Sequence, residues 1–295
     1  MFLTVTNSYL DESFDPKQGG QPRGIFAVGG VLGRGDPCFE LERTWNKRLT
    51  KYGLSYYKAS QCENGWGKFS KFVVDSENLT PTEKQTLQSI SLDFINAITN
   101  PFPYDPTHYL TGYGAGVMQE DVYEVIKDRH ARAVLGNDPY RLTYDIAFVQ
   151  GAWLMKQTGS GWGAHFVCDE HETYSPLAPA AYYTLKNTNP EAAEYMLSFG
   201  SIDEKKCSPV QAADAVVYEV RRALNFKFSK DPLLAGTALR KQFEALDAAH
   251  CMALISHILK EQLEWIAANH NPGEPFKLDE LMKNQLGDKV DQLRV

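Results

Sequence analysis

The chain reads as one elaborated α/β domain built on a mixed sheet, and three observations predict it. Short β-like runs at 2–10, 25–32, 164–168 and 196–202 alternate with longer stretches of helical period. The first two runs are joined by a polar, Gly- and Pro-rich loop at 11–24, which predicts an antiparallel hairpin. No stretch has the composition of a linker that would divide the 295 residues into two units.

Residues 2–10 (Phe2-Leu3-Thr4-Val5-Thr6-Asn7-Ser8-Tyr9-Leu10) form the first strand, and Ile25 to Leu32, with Phe26 and Val28, the second. Residues 37–51 read as a helix and 54–58 as a third short strand. The mixed segment 62–78, with Gly65-Trp66-Gly67 at its centre, has no assignment. Thr80-Pro81-Thr82-Glu83 is a helix start, with Thr as N-cap, Pro in the first turn and Glu in the capping-box position. That helix runs to about Thr99. A strand is expected at 108–112, and helices at 119–135 and 140–157. Gly112-Tyr113-Gly114-Ala115-Gly116 reads as a flexible turn; it lacks the Gly-Lys-Ser/Thr ending of a phosphate loop. After the strand at 164–168 come a helix at 176–186, a strand at 196–202 and a helix at 208–224, with Ser208 as N-cap and Pro209 next. A long helical pattern covers 237–268, and a short helix is expected at 278–285 in the polar tail.

Composition excludes several classes. Hydrophobic content of 43% and charged content of 23% are those of a globular domain. No run approaches a membrane span, and the N-terminus lacks the basic and apolar regions of a signal peptide. The five cysteines (Cys38, Cys62, Cys168, Cys207 and Cys251) are scattered and form no C-x-x-C pair. They read as free thiols in a reducing cytoplasm rather than a zinc ribbon. The net charge of −7 provides no global attraction to nucleic acid, so a polyanion would need a local basic groove.

Three carboxylates carry the chemistry. Asp11 follows the first strand, Asp169 closes Ala164-His165-Phe166-Val167-Cys168, and Asp214 lies on the apolar helix stripe of Val210, Ala213, Val217 and Tyr218. A lone ionised carboxylate is costly to bury, so each must protonate or find a cation. Three of them at two strand ends and on one helix predict a shared divalent-metal site and phosphoryl-transfer chemistry. Structural alternatives stand beside this: a polar turn at Asp11-Glu12, a solvated loop at Asp169-Glu170-His171-Glu172, and a buried ion pair for Asp214. Lys58 is a phosphate contact or an ordinary surface lysine. Basic groups at Lys127, Arg129, His130 and Arg132, and at Arg221, Arg222, Lys227 and Lys230, either track a backbone or are plain surface charge. Trp153, Trp162 and Tyr182-Tyr183 read as packing, and Cys168 as a buried thiol.

Tyr9-Leu10-Asp11-Glu12-Ser13, Phe166-Val167-Cys168-Asp169-Glu170 and Ser208-Pro209-Val210-Gln211-Ala212-Ala213-Asp214 together resemble the three signature blocks of the domain-of-unknown-function 3800 family. Tyr57-Lys58-Ala59-Ser60 is similar to a further block of that family, which more often carries His where this chain has Lys58. The resemblance spans about residues 2 to 224. It implies a ribonuclease H-like core over about 1–224 with a helical insertion at about 80–158, and a helical extension at about 237–295 outside the family pattern.

The resemblance also implies function. Asp11 would bridge two divalent ions, Asp169 would hold one, and Asp214 would complete the other. Mg²⁺ or Mn²⁺ suits such an all-oxygen site. Glu12 and Glu170 are secondary catalytic candidates, although alternation along a strand turns each from its neighbour's face; His171 and Glu172 are further ones. The expectation is a cytoplasmic, divalent-metal-dependent nuclease acting on DNA or RNA. The alternative is a non-catalytic binding or scaffold protein of the same fold, forming a homo-oligomer through the C-terminal helix. A hydrolase of a small phosphorylated molecule would use the same metals.

Overall fold

A computed structural model describes residues 6–14, 23–100, 110–158, 162–170, 176–229, 239–249 and 251–272. The expected helix at 278–285, with His171, Glu172 and Lys230, lies outside them.

Among the described residues six strands form one mixed sheet: β1 (Thr6–Phe14), β2 (Ile25–Arg34), β3 (Leu110–Met118), β4 (Ala164–Asp169), β5 (Met196–Ile202) and β6 (Met252–Ile258). Their order is β5-β4-β1-β2-β3-β6. β2 runs antiparallel to both β1 and β3, whereas β4 pairs parallel with β1, β5 with β4, and β6 with β3. Five strands therefore point one way and β2 the other.

Helices cover both faces. On one side α6 (Pro139–Gln157) packs on β2, β3 and β4, with α7 (Leu177–Thr188) beside it. α4 (Gln119–Val125), α5 (Arg129–Leu135), α8 (Pro190–Ala193) and α11 (Lys260–Asn269) complete that layer. On the other side α9 (Ser208–Phe228) lies across β1, β2 and β3. It is covered in turn by α1 (Gly35–Tyr52), α2 (Ala59–Asn64), α3 (Pro81–Thr99) and α10 (Lys241–Ala248). Side chains alternate between the layers, as a period of two requires. Leu10, Phe26 and Val28 join the α6 core, whereas Ile25, Ala27 and Val31 join the α9 core. With both faces covered, β2 is buried along nearly all its length.

Local signals placed several elements well. α3 begins with the expected capping box: Thr80 Oγ1 accepts from the Glu83 amide, and Glu83 Oε2 accepts from the Thr80 amide. The start of α9 differs by one residue. Cys207 is the N-cap, and Ser208 Oγ instead donates to Asn46 Oδ1 of α1 at 2.7 Å.

Five expectations are corrected. β1 continues through Asp11 to Phe14, so Asp11 lies inside the strand and not in a loop after it. Residues 54–58 form no strand; they are an extended lead into α2 held by α9 side chains. Residues 119–135 break into α4 and α5 at Ile126-Lys127-Asp128, where Asp128 caps the second helix.

The glycine-rich segment 112–116 is the middle of β3, not a turn, so the 80–158 insertion is not wholly helical. A Cβ on Gly114 would sit 3.3 Å from Val220 Cγ1, and one on Gly116 would sit 2.5 Å from Leu224 Cδ1. The missing side chains let α9 lie close to the sheet.

The 237–268 pattern divides into α10, β6 and α11 and is not one helix. Met252-Ala253-Leu254-Ile255 is a short apolar run that periodicity alone cannot assign. The edge of β3 provides a ladder of backbone partners, and the run pairs there as a strand.

Candidate functional site

The site lies on the α9 face of the sheet. Asp11, three residues before the C-terminal end of β1, points toward α9 and is 1% exposed. Asp214 enters from the second turn of α9, which is buried almost all round, and is 4% exposed. Glu204 arrives from the short 3₁₀ turn Glu204–Lys206 that links β5 to α9. Together these three offer carboxylate oxygens that all lie within 4.8 Å of one another.

Lys58 closes the group. It sits just before α2, and its Nζ lies 3.2 Å from Asp11 Oδ2, 2.7 Å from Glu204 Oε2 and 3.0 Å from Asp214 Oδ1. The second oxygens of the two aspartates are held by backbone amides. Asp11 Oδ1 accepts from the Glu12 amide at 2.8 Å, and Asp214 Oδ2 accepts from the Ala59 amide at 2.6 Å. One turn before Asp214, Gln211 Oε1 accepts from Trp45 Nε1 and from the Tyr57 amide, while its Nε2 donates to the Glu204 carbonyl. Gln211 thus fixes both chain segments that deliver Lys58 and Glu204.

Asp169 ends β4 as expected and is buried, but it stands outside the tight trio. Its Oδ1 accepts from the Glu204 amide at 2.9 Å, so it braces the turn that presents Glu204.

The electrostatics are those of a crowded acid cluster. Burial, only partly countered by Lys58, pushes the Asp11 carboxyl well above the usual range, and Glu12, Asp214 and Asp169 add to that. Burial likewise pushes Glu204 up to about 7, against the pull of Lys58. For Lys58, burial opposes the charge, but Asp11, Asp214 and Glu204 outweigh it and raise the ammonium well above the lysine range. One ammonium is too little charge for four neighbouring carboxylates, so the cluster favours a further proton or a stronger cation.

The other expected residues part company. Glu12 turns to the opposite face, where Tyr144 of α6 donates to its Oε2 at 2.8 Å. Glu170 is exposed beyond the end of β4. Arg129, His130 and Arg132 ride on α5, in the layer on the far side of the sheet from Asp11 and Asp214. Arg221 donates to Ser13 Oγ within the core, and Arg222 Nη2 lies 3.7 Å from Glu63. Trp153 and Tyr182 are core residues, whereas Trp162 and Tyr183 are about half exposed. Cys168 is buried, with burial raising its thiol, and all five cysteines are free.

Glu204 escaped the sequence reading, although a signal existed. Ile202-Asp203-Glu204 ends a strand and precedes a helix, the same setting that marked Asp169 on the neighbouring strand. The exposed Lys205 and Lys206 beside Glu204 were likewise not singled out.

No protein-family profile, curated protein or solved structure matches this chain. The fold and the site therefore define it: an α/β protein with a six-stranded mixed sheet between helical layers, carrying a buried carboxylate–lysine cluster on one face. Among the described residues, no helix is long and apolar enough to cross a membrane.

Proposed function

We propose that this chain is a divalent-metal-dependent nuclease of ribonuclease H-like fold, hydrolysing phosphodiester bonds at the Asp11 cluster. The observation that carries this reading is the convergence of Asp11, Glu204 and Asp214 from a strand, a turn and a helix within 4.8 Å, with an ammonium already seated among them. The strand order supports the fold reading. An antiparallel meander β1-β2-β3 is followed by β4 and then β5, both parallel to β1 on its free side, and β6 is an addition beyond β3.

The donor set is all oxygen, which suits Mg²⁺ or Mn²⁺. Asp11, Asp214 and Glu204 would hold the metal, and Asp169 would orient Glu204 through the backbone bond and lie ready for a second ion. When bound, the metal would supply an activated water and neutralise charge on the phosphate. Lys205 and Lys206, exposed on the turn that carries Glu204, would attract a phosphate backbone locally despite the net charge of −7.

The test combines Mn²⁺ calorimetry with cleavage of single- and double-stranded DNA and RNA by wild type and Asp214→Asn. Cleavage and binding lost in a variant with unchanged circular dichroism would support the reading. Full cleavage by Asp214→Asn would overturn it.

A second reading has one observation in its favour. Lys58 already pairs with all three carboxylates, as a permanent ion cluster in a non-catalytic binding protein would. That reading predicts no divalent-metal binding at all.

A further inference from the structure

We propose that Lys58 is the resident counter-ion of the carboxylate site, and that a divalent cation enters by displacing its ammonium. This rests on the metal-site reading above.

The geometry makes the two cations exclusive. Lys58 Nζ lies between 2.7 and 3.2 Å from one oxygen each of Asp11, Glu204 and Asp214. A Mg²⁺ or Mn²⁺ ion drawing on those oxygens would sit at about 2.0–2.2 Å from them. It would occupy the volume of the ammonium, and two positive charges would share one small space. The other oxygens of Asp11 and Asp214 are committed to the Glu12 and Ala59 amides, so turning the carboxylates does not open a separate place.

Lys58 is also the member able to leave. It is 24% exposed and Glu204 13%, against 1% for Asp11 and 4% for Asp214, so the open side of the site runs along Lys58 and Glu204. Its backbone is fixed, since the neighbouring Tyr57 and Ala59 amides bond to Gln211 and Asp214. Only the flexible four-carbon stem needs to move. An ammonium is strongly hydrated and is readily received by water. The cluster would gain from the exchange, because a divalent ion matches four carboxylates better than one ammonium does.

The consequence is a site held closed without metal. The apo protein keeps Lys58 seated among the carboxylates, and the metal must compete with it for their oxygens. The displaced ammonium is left at the mouth of the site, next to Lys205 and Lys206, where a phosphate would approach.

The test uses the full chain and Mn²⁺ alone. In calorimetric titration, Lys58→Met is expected to bind Mn²⁺ about tenfold tighter than wild type, the weight of one charge-assisted hydrogen bond removed from competition. Lys58→Arg, which keeps a cation, should show no tightening. A second measurement needs no variant. Wild type is treated with an amine-acetylating reagent with and without Mn²⁺, and each lysine is followed by mass spectrometry. Lys58 should become several-fold more reactive when Mn²⁺ is added, while Lys127, remote on the other face, does not change. Equal Mn²⁺ affinity in wild type and Lys58→Met, or unchanged Lys58 labelling at saturating Mn²⁺, would overturn the displacement and leave the metal site standing. No Mn²⁺ binding to any of the proteins would remove the metal site and this inference with it.

Discussion

Gly30 offers a sharp test of how the site is held together. It pairs with Leu10 across the β1–β2 ladder, one residue from Asp11. A Cβ placed on it would run into the Tyr9 carbonyl oxygen and lie 2.9 Å from Ala213 Cβ, the neighbour of Asp214. Relaxed carbon–carbon contacts lie near 3.5–4.0 Å. Neither obstacle is the end of a flexible side chain, so Gly30→Ala must push α9 and β1 apart. Overpacking that side chains can absorb costs about 1–3 kcal/mol, so this substitution should cost about 3 kcal/mol or more.

Gly200, in edge strand β5, is the control. A Cβ there meets nothing within 4 Å, and Gly200→Ala should be neutral or gain up to about 1 kcal/mol from a stiffer unfolded chain. Urea unfolding followed by tryptophan fluorescence would read both, with the m-value checking that the two states compared are unchanged. The same chemical change should then differ by about 3–4 kcal/mol between the two positions. Gly30→Ala should also weaken Mn²⁺ binding, because Ala213 and Asp214 move together. If Gly30→Ala unfolds within about 0.5 kcal/mol of Gly200→Ala, the account of α9 seated against the β1–β2 backbone is wrong.

Two further outcomes follow from the same structure. Glu204→Gln should weaken Mn²⁺ binding about tenfold or more, whereas Glu12→Gln, whose side chain faces Tyr144 and reaches Asp11 only through its charge, should change it far less; calorimetry showing the reverse would mean that the faces of β1 are misassigned. Glu219 on α9 has one oxygen 3.3 Å from Arg240, and the other is buried without a hydrogen-bond partner among the described residues. Burial outweighs Arg240 and lifts its carboxyl from near 4.5 to about 7. The folded state therefore holds this proton more tightly than the unfolded chain. Its contribution is full below about pH 4.5 and is lost as pH rises toward about 7, on the order of 3 kcal/mol in all. Glu219→Gln should lack that slope and gain on wild type between about pH 5 and about pH 8 in urea melts. Parallel pH profiles for the two proteins would reject the assignment.

What the sequence determined by itself was local. The Thr80–Glu83 capping box, the hairpin strands β1 and β2, strand β4 ending in Asp169, and Asp214 on an apolar helix face were all legible, because each signal is contained within a few residues. The ion-pair alternative for Asp214 was also legible, but its partner was not: Lys58 reaches it only because Gln211 ties the segment before α2 to α9. Glu204 meets Lys58 across 146 residues of chain, and no periodicity carries that information.

Tertiary structure also overruled local pattern twice. A glycine run that reads as a turn became a central strand, because α9 needs bare backbone to lie close. A short apolar run inside a longer helical pattern became β6, because the edge of β3 had unpaired backbone groups to satisfy. Short-range preference decides which conformations a segment can adopt. The sheet and its covering helices decide which one it keeps, since backbone hydrogen bonds and close packing are completed only between segments far apart in the chain.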